Sequence, residues 1–148
     1  MDETDPETGE TRSIQCIDGD IIYNEKDGYY YLYFKEDITQ KIAYVKSKNL
    51  TGPYNEDYTV VSLNYWGVEG SSMYRITGTD AWMMIMDEYG QNSFFAQMTR
   101  DFKDFRQVRR ASYSLNHLNP RHGSVVAITE DEYYSLVEAY GIQPIPKD

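Results

Sequence analysis

Residues 17–23 read IDGDIIY, residues 68–74 read VEGSSMY, and residues 121–127 read RHGSVVA. Each stretch sets one charged or titratable residue directly before a glycine: Asp18, Glu69 and His122, with offsets 69 − 18 = 51 and 122 − 69 = 53. The residues behind the first two also repeat. DGYYYLYFKED (27–37) matches TDAWMMIMDEY (79–89), and YVKSKNL (44–50) matches AQMTRDF (96–102), so that Ser47 meets Thr99 and Leu50 meets Phe102. A period near 50 residues, built of four short strands, predicts propeller blades. A β-sandwich with look-alike hairpins is the other architecture this repeat allows.

Working outward, strand-like runs cover 17–23, 29–34, 42–47 and 58–63, then 70–76, 81–86, 93–99 and 105–109, with Asn24–Gly28, Leu50–Pro53 and Gly78 as turn signals. Residues 122–128 begin the series a third time. Thr129-Glu130-Asp131-Glu132 has the spacing of a capping box and predicts a helix to Tyr140, stopped by Gly141. The acidic stretch 1–13 lacks periodicity and reads as a flexible lead-in. The expected fold is therefore all-β: a partial β-propeller of about three blades over 14–148, ending in a short helix.

A chain of 148 residues makes one domain with a sizeable core. Its formal net charge of −10 repels phosphate backbones and anionic lipid, so neither nucleic acid nor membrane is an expected partner. No apolar run approaches the ~20 residues that span a bilayer, and no signal peptide is legible. The 15 tyrosines, 5 phenylalanines and 2 tryptophans suit strands and sugar-facing surfaces alike. Cys16, the single cysteine, cannot form an internal disulfide and reads as a buried structural thiol.

If the repeats are blades, their first strands line a common channel, and Asp18, Glu69 and His122 converge on one pocket. Gly19, Gly70 and Gly123 then leave room for a ligand, or relieve crowding between inner strands. Tyr65 and Trp66 precede the Glu69 motif and offer flat rings for stacking on a sugar, or for packing under their loop. Tyr23, Tyr31, Tyr33, Trp82 and Met84 read as inter-blade core. Asp87 reads as a blade-to-blade salt bridge or turn residue, Arg121 as a partner for a substrate hydroxyl or an acid such as Asp18, and His117 as solvated. One imidazole without a second His or Cys at ligand spacing excludes a structural zinc site. There is no phosphate loop, nucleophile elbow or dinucleotide fingerprint.

The motifs IDGDIIY, DGYYYLYFK, SKNLTGPY, VEGSSMYRI and PRHGSVVAIT, in this order from about Ile17 to Val137, resemble the central and C-terminal blades of glycoside hydrolase family 43. The resemblance implies a five-bladed propeller that hydrolyses arabinose- or xylose-containing glycans with inversion, as an arabinofuranosidase or xylosidase. It assigns Glu69 as general acid, Asp18 as the carboxylate that orients it and tunes its pKa, and His122 as a group near the channel axis. No cofactor is required; a calcium ion held mainly by waters beside His122 is the implied option. Residence outside the cytoplasm, extracellular or periplasmic, is implied as well.

Glycoside cleavage agrees with a carboxyl pair, because it needs a proton donor and an ionised carboxylate around an oxocarbenium-like transition state. Like-charge repulsion from Asp18 is expected to raise the Glu69 pKa and keep it protonated. The sequence departs from the family in lacking the blades that carry the general base. Asp2 and Asp5 lie in a stretch without strand character, and Asp20 shares the face of Asp18, so none of them is promoted to that role. A homo-oligomer that completes the site is the corresponding expectation, with Arg121, His122, Tyr65 and Trp66 contacting the saccharide. A non-catalytic carbohydrate-binding or assembly module is the alternative.

Overall fold

Aromatic and β-branched runs broken by short turns form pleated, half-buried strands. The computed structural model describes residues 2–4, 8–13, 15–115 and 121–144. One antiparallel meander contains β3 (Cys16–Asn24), β4 (Tyr29–Glu36), β5 (Lys41–Ser47) and β6 (Thr59–Val60); a second contains β7 (Glu69–Arg75), β8 (Trp82–Glu88), β9 (Ser93–Thr99) and β10 (Phe105–Gln107). Each sheet follows chain order, with β3 and β7 as the first strands. The eight strand runs predicted over 17–109 all appear, with shifts of a few residues at their ends.

Helix α1 (Glu130–Tyr140) begins with the expected capping box, Thr129 with Glu132, and ends at Gly141 in the left-handed conformation. The structure is thus all-β apart from a short C-terminal helix and one 3-10 turn, and no barrel closes among the described residues.

Two expectations are corrected here. The lead-in contains strand pairing: β1 (Asp2–Thr4) lies antiparallel to β2 (Thr11–Ser13). A third four-strand unit is not formed among the described residues. The stretch 121–129 runs beside β7 without ladder pairing, Val125 N–H donating to Ser72 Oγ at 3.2 Å. The physical reason is the sequence that follows: the capping box at Thr129 starts α1, so the residues after 129 form a helix and no second strand pairs with this stretch. Asp5 and His117 lie outside the described residues.

The core sits between the two sheets. Tyr31, Tyr33, Ile42 and Tyr44 of the first meet Met73, Met84, Met86 and Phe95 of the second. Phe102 is wedged among them, 4.9 Å from the Tyr31 ring and 5.2 Å from Trp82. Tyr31, Tyr33 and Met84 are core as expected, and Trp82 packs against it half-buried. Tyr23 is not core but exposed, because it lies on the side of β3 away from the second sheet. Cys16, expected to be buried, is exposed at the start of the same strand.

The inter-sheet connection is tied down by one buried amide: Gln97 Nε2 donates to the Val61 carbonyl, and Leu63 N–H donates to Gln97 Oε1. That anchor fixes the loop that enters Glu69.

The repeat predicts a sharp contrast between two equivalent residues. Phe102→Ala should destabilise by about 3–5 kcal/mol, the usual range for a buried phenylalanine. Leu50→Ala, 55% exposed at the matching position, should change stability by no more than about 0.5 kcal/mol at high dilution. Urea unfolding of both variants measures the difference, and equal losses would contradict the packing described.

Candidate active site

The first strands of both sheets carry the same irregularity. In β3 the register shifts between Ile17 and Asp20, and in β7 between Glu69 and Ser72. One extra residue in each makes a bulge, which bends a strand and re-aims its side chains. The pairs Ile17↔Lys35 and Glu69↔Asp87 show that the structural repeat is 52 residues, one more than the motif offset of 51. Asp18 therefore stands at the register position of Gly70, and both adopt left-handed φ, 56° and 55°. Aspartate tolerates that conformation better than most residues, and glycine takes it freely.

The bulges bring the titratable groups together. One oxygen each from Asp18 and Glu69 and one ring nitrogen of His122 lie within 4.8 Å of one another. Asp18 Oδ2 accepts the Gly70 N–H at 3.0 Å, and Asp20 Oδ2 accepts the Met73 N–H at 2.8 Å. Burial pushes the Asp20 carboxyl up despite the lowering effect of that N–H. An open hollow of about 350 Å³ is lined by Asp18, Asp20, Gly70, Ser71, His122 and Ser124. A larger hollow of about 830 Å³ lies at the far end of β7, around Arg75, Asp80 and Arg100, away from the carboxylate cluster.

Glu69 is held by the Lys35 ammonium, the Arg121 guanidinium and the His122 imidazole. Lys35 Nζ donates to Oε2 at 3.2 Å, His122 Nε2 lies 3.2 Å from Oε1, and Arg121 Nη2 lies 3.5 Å from Oε1. Arg121 Nε also donates to the buried Asp87 at 2.8 Å, and His122 Nε2 is 3.8 Å from the same oxygen. The predicted blade-to-blade role of Asp87 is thus an ion pair between β8 and the third repeat. Lys35 makes the same step from β4 to β7.

A family model described as a probable glycosyl hydrolase domain, related to glycoside hydrolase family 43, matches residues 4–134. The chain belongs to that family. No curated protein and no solved structure matches it.

Within this glycosyl hydrolase domain, the structure gathers Asp18, Glu69, His122 and Arg121 and leaves Tyr65 and Trp66 apart. Those two rings lie on the loop before β7, Tyr65 90% exposed, and contact each other edge-on at 5.7 Å. Arg121 pairs with Asp87 and Glu69 rather than with Asp18. The space beside Gly70 is not left for a ligand: a Cβ there would sit 2.7 Å from the His122 ring, whereas one on Gly123 would meet nothing within 4 Å.

The expected rise of the Glu69 pKa is overturned. Burial acts to raise it, but hydrogen bonds and charge from His122 and Lys35 outweigh burial and leave the carboxyl below its usual value. The aligned repeats 27–37 and 79–89 set Lys35 opposite Asp87, and nothing in either motif shows that the Lys35 ammonium reaches the next sheet.

The Asp18–Glu69–His122 cluster is a poor cage for calcium bound directly by protein oxygens. That ion takes 6–8 oxygen ligands, whereas this cluster offers two carboxylates and an imidazole, with Lys35 and Arg121 already on Glu69.

Because folding lowers the Glu69 pKa, the stability it contributes is complete above the unfolded value of about 4.3. That contribution is lost as pH falls through the folded midpoint. A carbon-detected NMR titration should place the Glu69 midpoint below that of an unperturbed glutamate, and Lys35→Met should move it upward. An unchanged midpoint in the variant would contradict the cation cage.

Proposed function

We propose that the domain is an inverting glycosidase acting on arabinose- or xylose-containing glycans, its repeat units serving as consecutive blades of a propeller. The observation that carries this reading is the convergence of Asp18, Glu69 and His122 from three repeats onto one spot, inside the stretch matched by a glycosyl hydrolase family. Glu69 is the proton donor to the leaving oxygen. Asp18, anchored by the Gly70 N–H, fixes the field and orientation around it. Their oxygens lie within 4.8 Å, closer than the ~6.5–9.5 Å that leaves room for water between an inverting acid and base. Asp18 therefore suits the tuning role, and the base comes from another polypeptide element, for which a second copy of the chain is the proposed source.

Glu69 is ionised in the cage described above, so its acid form depends on that added carboxylate. A new negative charge beside Glu69 raises its pKa by like-charge repulsion and offsets Lys35 and His122. Arg121 and His122 supply hydrogen bonds to sugar hydroxyls, and Tyr65 and Trp66, exposed on the loop before β7, offer apolar faces for a sugar ring. A calcium ion held through water beside His122 is compatible with this arrangement, and no step depends on it. The ionised Glu69 also favours a second reading, a saccharide-binding module that keeps the pocket without turnover.

Release of nitrophenol from aryl α-L-arabinofuranoside and aryl β-D-xyloside tests the proposal. The unaltered protein should turn over at least one of them, and Glu69→Gln should lower kcat by about 10²–10⁴, the usual contribution of a general acid. Saccharide binding without turnover, unchanged by Glu69→Gln, would replace the enzyme by the binding module.

A further inference from the structure

Of the three groups on Glu69, Lys35 is the buried one. Its side chain is 9% exposed, against 64% for Arg121 and 44% for His122. A buried ammonium acts on a carboxylate with less screening than an exposed cation does. Lys35 Nζ faces Glu69 at 3.2 Å and Asp37 at 3.8 Å, and lies 4.7 Å from the centre of the Tyr89 ring. Glu69 in turn faces Lys35, Arg121, His122 and, within 4.8 Å, Asp18. An aromatic face attracts an ammonium through its quadrupole, and more strongly as water is removed. The Tyr89 ring is thus the uncharged wall of the Lys35 seat.

Tyr89 is itself tied down. It opens the turn 89–92 after β8, which corresponds by the 52-residue register to the turn 37–40 after β4. Gln40 and Asn92 stand at matching positions and share a left-handed φ, 55° and 49°. The two turns meet where the Tyr89 hydroxyl donates to Gln40 Oε1 at 2.6 Å. The Gln40 backbone carbonyl also accepts the Val68 N–H at 3.3 Å. Gly67 lies beneath these two side chains. A Cβ there would stand 2.6 Å from Tyr89 Cζ and 2.7 Å from Gln40 Oε1, so a larger residue has to push the ring aside. Gly67 ends the loop that carries Tyr65 and Trp66, two residues before Glu69.

We propose that Tyr89 is a positioning residue for Glu69: its ring seats the Lys35 ammonium on that carboxylate, and its hydroxyl end ties the pair to the Tyr65–Trp66 loop. Its bearing on catalysis rests on the reading of Glu69 as proton donor, whereas the packing does not. Without the ring, the ammonium is free to turn toward Asp37 and water, and Glu69 loses its most buried partner. A shift of the loop at Gly67 reaches the same ammonium through Tyr89.

Carbon-detected NMR titration of Glu69 in position-89 and position-67 variants tests this link. Loss of a neighbouring cation raises a carboxyl midpoint. Tyr89→Leu should therefore raise it, in the direction of Lys35→Met and by no more than that variant does. Tyr89→Phe keeps the ring and should stay closer to the unaltered protein. Gly67→Ala, which displaces the ring, should raise the midpoint as Tyr89→Leu does. In a Lys35→Met background neither Tyr89→Leu nor Gly67→Ala should add a further rise. A midpoint unmoved by Tyr89→Leu or by Gly67→Ala would overturn the proposal. So would a rise with Tyr89→Phe as large as with Tyr89→Leu, or an undiminished rise once Lys35 is replaced. Midpoints are read without turnover, so a failure of the Tyr89 link is separable from a failure of the glycosidase reading.

Discussion

The N–H groups on the free edge of β7 face a neighbouring strand with which they form no ladder. A buried backbone donor left without an acceptor costs about 1–3 kcal/mol. Asp18 and Asp20 meet that demand across the gap, one for Gly70 and one for Met73. These two bonds set β7 beside β3, and they draw the sheets together over the tyrosine and methionine core. They also explain why acidic residues stand on an inner strand whose neighbours are apolar. Ser72 makes the same bond to Val125, which seats the third repeat without a sheet of its own.

The site grows out of this constraint. Because the Asp18 carboxylate is committed to the Gly70 N–H, it stands beside the residue it is proposed to tune. Because Gly70 lacks a side chain, the His122 ring can close over it. Two ion pairs of identical sequence separation, Lys35 with Glu69 and Asp87 with Arg121, then cross from one repeat to the next. Charge alternates around the pocket as a result. Glu69 is ionised, and its proposed use as an acid depends on a further negative charge that changes this balance.

Much of this was legible from the sequence. The meander strands follow from aromatic and β-branched runs separated by glycine turns, and the helix from its capping box and Gly141. Convergence of Asp18, Glu69 and His122 followed from the repeat alone. The bulges did not: a shift from 51 to 52 residues lies in ladder register, which motif spacing cannot express. The third repeat reads like a strand from its VVAI run, yet strand formation depends on a neighbour, and α1 supplies none. The direction of the Glu69 shift was missed because repulsion from Asp18 was legible nearby in the motif, whereas Lys35 reaches Glu69 only through the packing of one sheet on another. Tyr23 and Cys16 read as interior from their types, but both stand exposed on the face of β3 turned away from the second sheet.

The central claim is that the Asp18–Glu69–His122 hollow is where a saccharide binds. Amide chemical-shift mapping during titration with xylo- and arabino-oligosaccharides tests it directly. The account predicts perturbations centred on Asp18, Glu69, Gly70 and His122 and spreading to Tyr65 and Trp66. Perturbations confined to the hollow around Arg75 and Arg100, or none at all on a folded sample, would contradict it.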